Sequence, residues 1–392
     1  MVKEVGKLVT PHIGGMSDID SFGLAGQGPR KIIWEVKEIE MGNLCKFFVY
    51  FMVLALPALA GCTRDENIDE RALYAEAQKA MDSYPSDQEG LEKAEKLLNR
   101  ILRSNRKSAY AQTGLGRLAY KKGYINYENY EEESLAEAHS RFEKALRADP
   151  SFFDAWYYGA YPYIYEKKYP QAKALAEKAR AIEPDSPRVD LLFAEIAQGE
   201  GDTGEVERRS NSVIEKAADN YLLRSAYSNL TWVHRVRKEY DLADKAYQKI
   251  IELDPASPWA KINYSSFLVS RGNYDRAIDY GKQALDLMDF GMGHHVLGNA
   301  LCGKGIDLYW KENRPDEAKG FFEEAVQHAP DNADAYYGLG MSYYNVGYRD
   351  RNVGDLEKGK EALKRALQLN PDHPQAKSAL NQLDMLLSAV KK

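Results

Sequence analysis

Three stretches of the chain share one spacing: AHSRFEKALRADP at residues 138–150, AKALAEKARAIEP at 172–184 and ADKAYQKIIELDP at 243–255. In each stretch, small or apolar residues stand at i, i+4 and i+7, which is one face of a helix, and a proline follows five residues later. The prolines at 150 and 184 are 34 residues apart. The spacing predicts repeated helix pairs that stack on one another, because a single pair cannot bury its apolar face.

This period and pattern resemble the tetratricopeptide repeat family over most of residues 105–390, and more weakly from residue 69. The resemblance implies an all-α fold, a right-handed superhelical solenoid of about eight helix pairs over residues 69–390 with a capping helix at its end. Small residues recur where such helices approach closely. In first helices they are Gly116, Ala160, Gly298 and Gly340, and in second helices Ala138, Ala172, Ala243, Ala277 and Ala318.

Three repeats contain extra residues at the turn between their two helices, in 124–134, 306–315 and 348–358. One interpretation is an aromatic and charged rim that grips a partner. The alternative is longer helices or solvated turns, since turns tolerate insertions at little cost.

The composition limits the class of protein. A net charge of −6 over 392 residues argues against a general nucleic-acid surface, which would be basic. The three cysteines, Cys45, Cys62 and Cys302, are too few for a disulfide framework. Cys302 lies on a predicted helix among small neighbours and is expected to be a buried structural thiol.

The chain ahead of the repeats has the features of an export signal. Lys46 precedes an apolar run at 47–60, which is shorter than the roughly 20 residues that a membrane-spanning helix needs. Residues 59–62 (LAGC) resemble the lipobox of bacterial lipoproteins. This resemblance implies cleavage between Gly61 and Cys62 and acylation of Cys62. The alternative is an ordinary export signal with an accidental cysteine.

These features predict four segments: a mis-assigned extension at 1–40 with translation beginning at Met41, a signal peptide at 41–61, a lipidated tether at 62–68 and the repeats. Acyl chains such as palmitate hold a protein at the bilayer through buried methylenes. We expect the protein in the cell envelope, lipid-anchored and facing the periplasm. In a Gram-negative source, Thr63 in place of an aspartate favours the outer membrane over the inner one.

In tetratricopeptide proteins the first helix of each pair lines the binding groove. Aromatic side chains there supply contact area, and Arg or Asn orient a partner. Asn229 and Asn263 occupy matching places in adjacent repeats, but the lysines of a carboxylate clamp are not at the required positions. About half of the tyrosines between 157 and 169 are alternatively core residues. The groove candidates are Arg117, Tyr120, Tyr157, Tyr161, Tyr165, Asn229, Trp232, Arg235, Asn263, Tyr337 and Tyr344.

Sequence signals for catalysis are weak. The GLGRLA stretch at 114–119 matches a dinucleotide fingerprint only superficially, because no strand is predicted before it. The adjacent His294 and His295 point to different sides of a helix, which does not suit a shared metal ion. No metalloprotease, phosphate-loop or serine-elbow motif is found. We therefore predict no enzyme activity, no cofactor and no metal site.

The sequence favours a membrane-anchored scaffold or adaptor that binds protein or peptide partners in the bacterial envelope. A second hypothesis is a lipoprotein that binds a small solute in its groove as an accessory component of a transporter. A deep enclosed cavity would favour solute binding, and an open groove would favour a protein or peptide.

Overall fold

The computed structural model describes residues 68–82, 88–126 and 129–390. Within these residues the chain forms two compact units, which meet in sequence between Glu200 and Gly201. The predicted extension, signal peptide and lipidation site, including Gly61 and Cys62, lie outside the described residues and stay predictions.

The described part of the first unit contains seven α-helices and a two-stranded antiparallel hairpin. Consecutive helices pack as pairs, α1 with α2, α3 with α4, and α5 with α6, and α7 packs on α6. The elements are α1 (Glu70–Asp82), α2 (Gln88–Ser104), α3 (Ala109–Lys122), β1 (Tyr124–Asn126), β2 (Asn129–Tyr130), α4 (Glu132–Ala148), α5 (Phe153–Tyr165), α6 (Tyr169–Ile182) and α7 (Pro187–Glu200).

The second unit contains ten α-helices in its described part, with one π-helical segment. After α8, the helices pair in sequence from α9 to α16, and α17 packs on α16. The elements are α8 (Thr203–Lys216), α9 (Asn220–Val236), α10 (Tyr240–Leu253), α11 (Pro258–Ser270), α12 (Tyr274–Leu287), α13 (Gly291–Ile306), a π-helix (Asp307–Lys311), α14 (Pro315–His328), α15 (Ala333–Arg349), α16 (Val353–Leu369) and α17 (Pro374–Val390).

The residues of the repeated spacing form the core of each unit. Ala172, Ala176 and Ala179 are fully buried on α6, at 0% exposure. The corresponding faces of α4 and α10 are buried as well, because i, i+4 and i+7 lie on one side of a helix. The predicted all-α fold of stacked helix pairs is confirmed, and the hairpin at 124–130 is the departure from it.

Many helices begin at a polar residue that caps the first turn. The side-chain oxygen of this residue accepts a hydrogen bond from a free backbone N–H, which otherwise has no partner within the helix. Such caps fix where the turns end and the repeats begin. They are Ser108, Asp202, Asp219, Ser257, Asn332 and Asn352.

The three insertions adopt different structures. The first forms the hairpin, in which Tyr124 pairs with Tyr130. The second continues α13 as a π-helix up to Lys311, and the third is absorbed by α15 and α16, each 17 residues long. Longer helices, one of the two predicted alternatives, therefore account for the second and third insertions. None of the described helices is both long enough and apolar enough to cross a membrane.

Close helix approach explains the small residue at position 298. A Cβ added to Gly298 would lie 2.5 Å from the Cβ of Ala329 and 3.0 Å from its backbone nitrogen. These atoms belong to the backbone end of α14 and cannot rotate away. Only glycine fits here without moving a helix.

Candidate functional site

Tyrosines from three elements of the first unit form one cluster. Positions 157, 161 and 165 of α5 lie on one face because they are four residues apart. The ring of Tyr161 stacks on Tyr120 of α3 at a centroid distance of 6.1 Å, and Tyr165 stacks on Tyr130 of the hairpin at 4.1 Å. We call Tyr120, Tyr130, Tyr161 and Tyr165 the tyrosine cluster.

Glu195 of α7 lies against this cluster. The carboxylate is half-buried and is hydrogen-bonded to Tyr161, whose hydroxyl also lies 3.1 Å from the hydroxyl of Tyr157. Burial raises the pKa of Glu195 to about 7, and the hydrogen bond from Tyr161 limits that rise. Within the described residues, no ion pair joins Glu195 to a lysine, arginine or histidine.

Two arginines of the same unit are compensated by nearby carboxylates. Arg117 is 3% exposed, bonds to Asp82 and Gln78, and lies over the ring of Tyr158 at 4.5 Å. Arg188 forms a 2.7 Å ion pair with Asp154 and lies over the ring of Tyr157 at 4.4 Å. Such charges hold helices together and leave little attraction for a ligand.

The predicted groove residues of the first unit divide by burial. Tyr120 and Tyr157 are only 5% and 4% exposed, and with Arg117 they belong to the interior. Tyr161 and Tyr165 are half-buried and reach solvent. Of the predicted groove residues in this unit, these two tyrosines are therefore the ones that reach solvent, and they lie beside the half-buried Glu195.

The predicted candidates on α9 and α11 lie in the second unit. Asn229 is 6% exposed, and its amide nitrogen has no hydrogen-bond partner among the described residues. Trp232, Arg235 and Asn263 are half-buried, and Arg235 interacts with Tyr247. Burial raises the pKa of Tyr247, and Arg235 opposes that rise.

A second aromatic surface surrounds the candidates Tyr337 and Tyr344. Trp310, in the π-helix, stacks on Tyr337 at 5.7 Å and is 45% exposed. Tyr344 contacts Tyr348, which is 63% exposed. Sequence reasoning did not place Trp310 beside Tyr337, although it did single out the insertion that carries Trp310.

Glu195 is the functional candidate that sequence reasoning missed. Its position is 34 residues after Tyr161, which is the repeat period. The same register that selected Tyr161 therefore points to Glu195 in the next repeat. This repeat lacks the proline that follows the second helix in other repeats, so its register is harder to read from the sequence.

The other sequence patterns considered for catalysis or metal binding lie within helices. The GLGRLA stretch lies inside α3. The Nδ1 atom of His294 is 2.7 Å from that of His328, and its Nε2 is 2.7 Å from Asp289. In the described part of the chain, no group of three or more His, Cys, Asp or Glu side chains is arranged to hold a metal ion.

An open, shallow depression lies at the start of α14, within the second unit. Its charges are compensated internally, as in the 2.6 Å ion pair between Arg349 and Asp316. Such a surface does not match the enclosed, mostly apolar site typical of small-solute binding. The lining residues are Asn313, Arg314, Pro315, Asp316, Glu317 and Arg349.

Comparison with known families agrees with this architecture. One tetratricopeptide repeat family model matches residues 232–290 and 304–347, and a second matches 334–373. Similarity to tetratricopeptide repeats is therefore shown for these residues. The tetratricopeptide matches begin at Trp232, in α9, and end at residue 373, between α16 and α17.

Curated relatives of these tetratricopeptide repeats are distant. The CTR9 homolog of Arabidopsis thaliana is 23% identical over 286 residues, 66% of this chain and 25% of that protein. The small glutamine-rich tetratricopeptide repeat-containing protein 2 of Mycosarcoma maydis is 35% identical over 106 residues, 27% of this chain and 28% of that protein. The chain thus spans about a quarter of the length of these two relatives.

Solved structures similar to this chain include yeast Tom70, with a TM-score of 0.45 and 14% identity over 84% of this chain and 65% of that one. The pilF protein of Pseudomonas aeruginosa has a TM-score of 0.44 and 19% identity over 59% of this chain and 96% of that one.

Proposed function

We propose that this protein is a lipid-anchored tetratricopeptide scaffold that binds protein or peptide partners in the bacterial cell envelope. The observation that carries the proposal is the accessible surface of Tyr161, Tyr165 and Glu195 on first helices of consecutive repeats. Half-buried aromatic rings beside one polar group are typical of sites where a polypeptide binds.

The second unit supports the same function. Asn229 and Asn263 occupy matching places one repeat apart, and Asn263 is half-buried and reaches solvent. Amide groups spaced along such a groove hydrogen-bond to the backbone of an extended peptide, which lets a groove hold partners of varied sequence. The depression beside Arg349 does not favour the alternative of small-solute binding, because its charges are already paired.

The anchoring part of the proposal rests on the sequence of residues 59–62 and on the short distance from Cys62 to α1. Seven residues span at most about 25 Å when extended. An acylated Cys62 would hold the first unit close to the bilayer. The site of action is then the membrane surface, with the outer membrane favoured by Thr63.

Partner binding is tested by crosslinking in the native cell, purification and mass spectrometry. The wild type is compared with a Tyr161→Ala/Trp232→Ala variant, and with Tyr221→Ala as a control for an exposed tyrosine that is not a groove candidate. We expect a protein partner that is lost in the double variant and kept in the control. Retention in the double variant would contradict binding through these side chains, and recovery of a small molecule without any protein would overturn the scaffold function.

Anchoring is tested separately with Cys62→Ala. We expect the wild type to incorporate a labelled palmitate analogue and to sediment with membranes, and the variant to lose both properties. A variant that still carries the label would exclude Cys62 as the acylated residue. Both proteins should show the same helical content by circular dichroism, since position 62 lies ahead of the repeats.

A further inference from the structure

Glu195 is a recessed carboxylate whose described neighbours supply no positive charge. Its carboxyl group is hydrogen-bonded to Tyr161, and it lies close enough to Tyr165 to raise the pKa of that phenol by charge repulsion. Removing a carboxylate from water costs free energy that a neighbouring cation normally offsets. The absence of such a cation in the described chain is therefore a feature that needs a physical explanation.

Other acidic groups of the same unit follow the usual rule. Asp154 is paired with Arg188, and Asp82 is paired with Arg117. Arg188 precedes Glu195 by seven residues, two turns along the same face of α7, yet its charge is directed to Asp154. Of these three acidic groups, Glu195 is the one without a described ion pair.

The surroundings of Glu195 suit a cation. The faces of tyrosine rings attract ammonium and guanidinium groups, and a carboxylate beside them adds a direct charge interaction. In this unit, two arginines already lie over tyrosine rings, Arg117 over Tyr158 at 4.5 Å and Arg188 over Tyr157 at 4.4 Å. Tyr161 and Tyr165 reach solvent and are placed to receive a third cation from outside the chain.

We propose that Glu195, Tyr161 and Tyr165 form a binding site for a lysine or arginine side chain of the partner polypeptide. The inference rests on the proposed function, since it assumes a polypeptide in this groove. It adds a preference: the partner carries a basic residue at one fixed position. A divalent metal ion is a poorer match, because the site offers one carboxylate and otherwise neutral phenols.

The pKa of Glu195 is consistent with this role. Burial raises this pKa to about 7, and no cation among the described residues opposes that rise. The titratable groups that face it are the phenols of Tyr161 and Tyr165, and burial raises the pKa of Tyr165 well above 10.0. A bound cation replaces the missing counter-charge and stabilises the ionised carboxylate.

The test is a selection of random 12-residue peptides displayed on phage against the purified full-length chain in detergent. The selection is repeated with Glu195→Gln, which keeps the shape and removes the charge. The matched control is Glu143→Gln, since the Glu143 side chain is 70% exposed and pairs within its own helix to Arg147. Thermal melting of all three proteins confirms that they fold.

We expect peptides selected on the wild type and on Glu143→Gln to share a lysine or arginine at one position, and peptides selected on Glu195→Gln to lose it. For one selected peptide, replacement of its basic residue by norleucine should weaken binding to wild type about tenfold and binding to Glu195→Gln less than twofold.

Two other outcomes are distinguishable. Peptides that bind without a basic residue, equally to wild type and Glu195→Gln, would overturn the cation site and leave the peptide-binding function standing. Failure to select any peptide on the folded wild type would count against both the proposed function and this inference.

Discussion

Replacing Gly298 by alanine tests the close packing of α13 on α14. The new Cβ would lie 2.5 Å from the Cβ of Ala329, 3.0 Å from the nitrogen of Ala329 and 3.2 Å from the carbonyl oxygen of Ala325. All three atoms are fixed by the backbone of α14 and its end. The methyl group is therefore accommodated only if the helices separate. Gly320 on α14 is a matched control, because a Cβ added there meets nothing within 4 Å.

The two substitutions share one favourable contribution and differ in one unfavourable one. Alanine in a helix interior is better than glycine by about 0.5–1 kcal/mol, which applies to both positions. Overpacking costs about 1–3 kcal/mol, which applies only at position 298. We expect Gly320→Ala to raise the free energy of unfolding by about 0.5–1 kcal/mol and Gly298→Ala to lower it by about 1–2 kcal/mol.

The assay is urea unfolding followed by far-ultraviolet circular dichroism and by tryptophan fluorescence. Coincidence of the two signals checks that the transition is cooperative, which repeat proteins do not always satisfy. Amide exchange of α13 and α14 then localises the effect. Equal midpoints for Gly298→Ala and Gly320→Ala would refute the argument that backbone contact requires glycine at 298.

Three further predictions concern charged and reactive groups. The folded-state pKa of Glu195 is about 7 against an ordinary value of 4.5, so wild-type stability falls as pH rises through that interval. In urea titrations, Glu195→Gln should gain about 3 kcal/mol over wild type between pH 4 and pH 8, and a pH-independent difference would contradict the raised pKa. Asp82→Asn should lower the free energy of unfolding by about 1–2 kcal/mol, because it removes the carboxylate that pairs with the buried Arg117. The loss is moderate because Asp82 is partly exposed, and water already weakens its attraction for Arg117. An unchanged free energy of unfolding would show that Gln78 alone compensates Arg117. Cys302 is buried and its pKa is raised by desolvation, so iodoacetamide should modify it only in denaturant, as peptide mapping by mass spectrometry would show; rapid labelling of the folded protein would place the thiol at the surface.

Much of the fold follows from local sequence. The repeats are predicted to begin at residue 69, and the first helix of the described structure is Glu70–Asp82. Agreement is this close because capping residues and an apolar face are properties of one short segment. The hairpin was not predicted, since its two strands are only three and two residues long and carry too short a pattern to be recognised.

The candidate site was predictable in part. Register along the repeats identified Tyr161 and Tyr165, because positions on the inner side of a first helix recur from repeat to repeat. Register alone did not separate them from Tyr157, which has the same residue type on the same face and is nevertheless buried. Burial depends on what the next helix places above a side chain, and that is decided by packing.

The sequence by itself determined the helix faces, the repeat period and the positions that must be small, because each depends on spacing within one helix or between neighbouring copies. Only the tertiary structure decided which charges are compensated. Arg117 finds Asp82 from another helix, and Arg188 finds Asp154, while Glu195 meets only tyrosines. These partners come from segments roughly one repeat apart, and their distances depend on how the helices pack together.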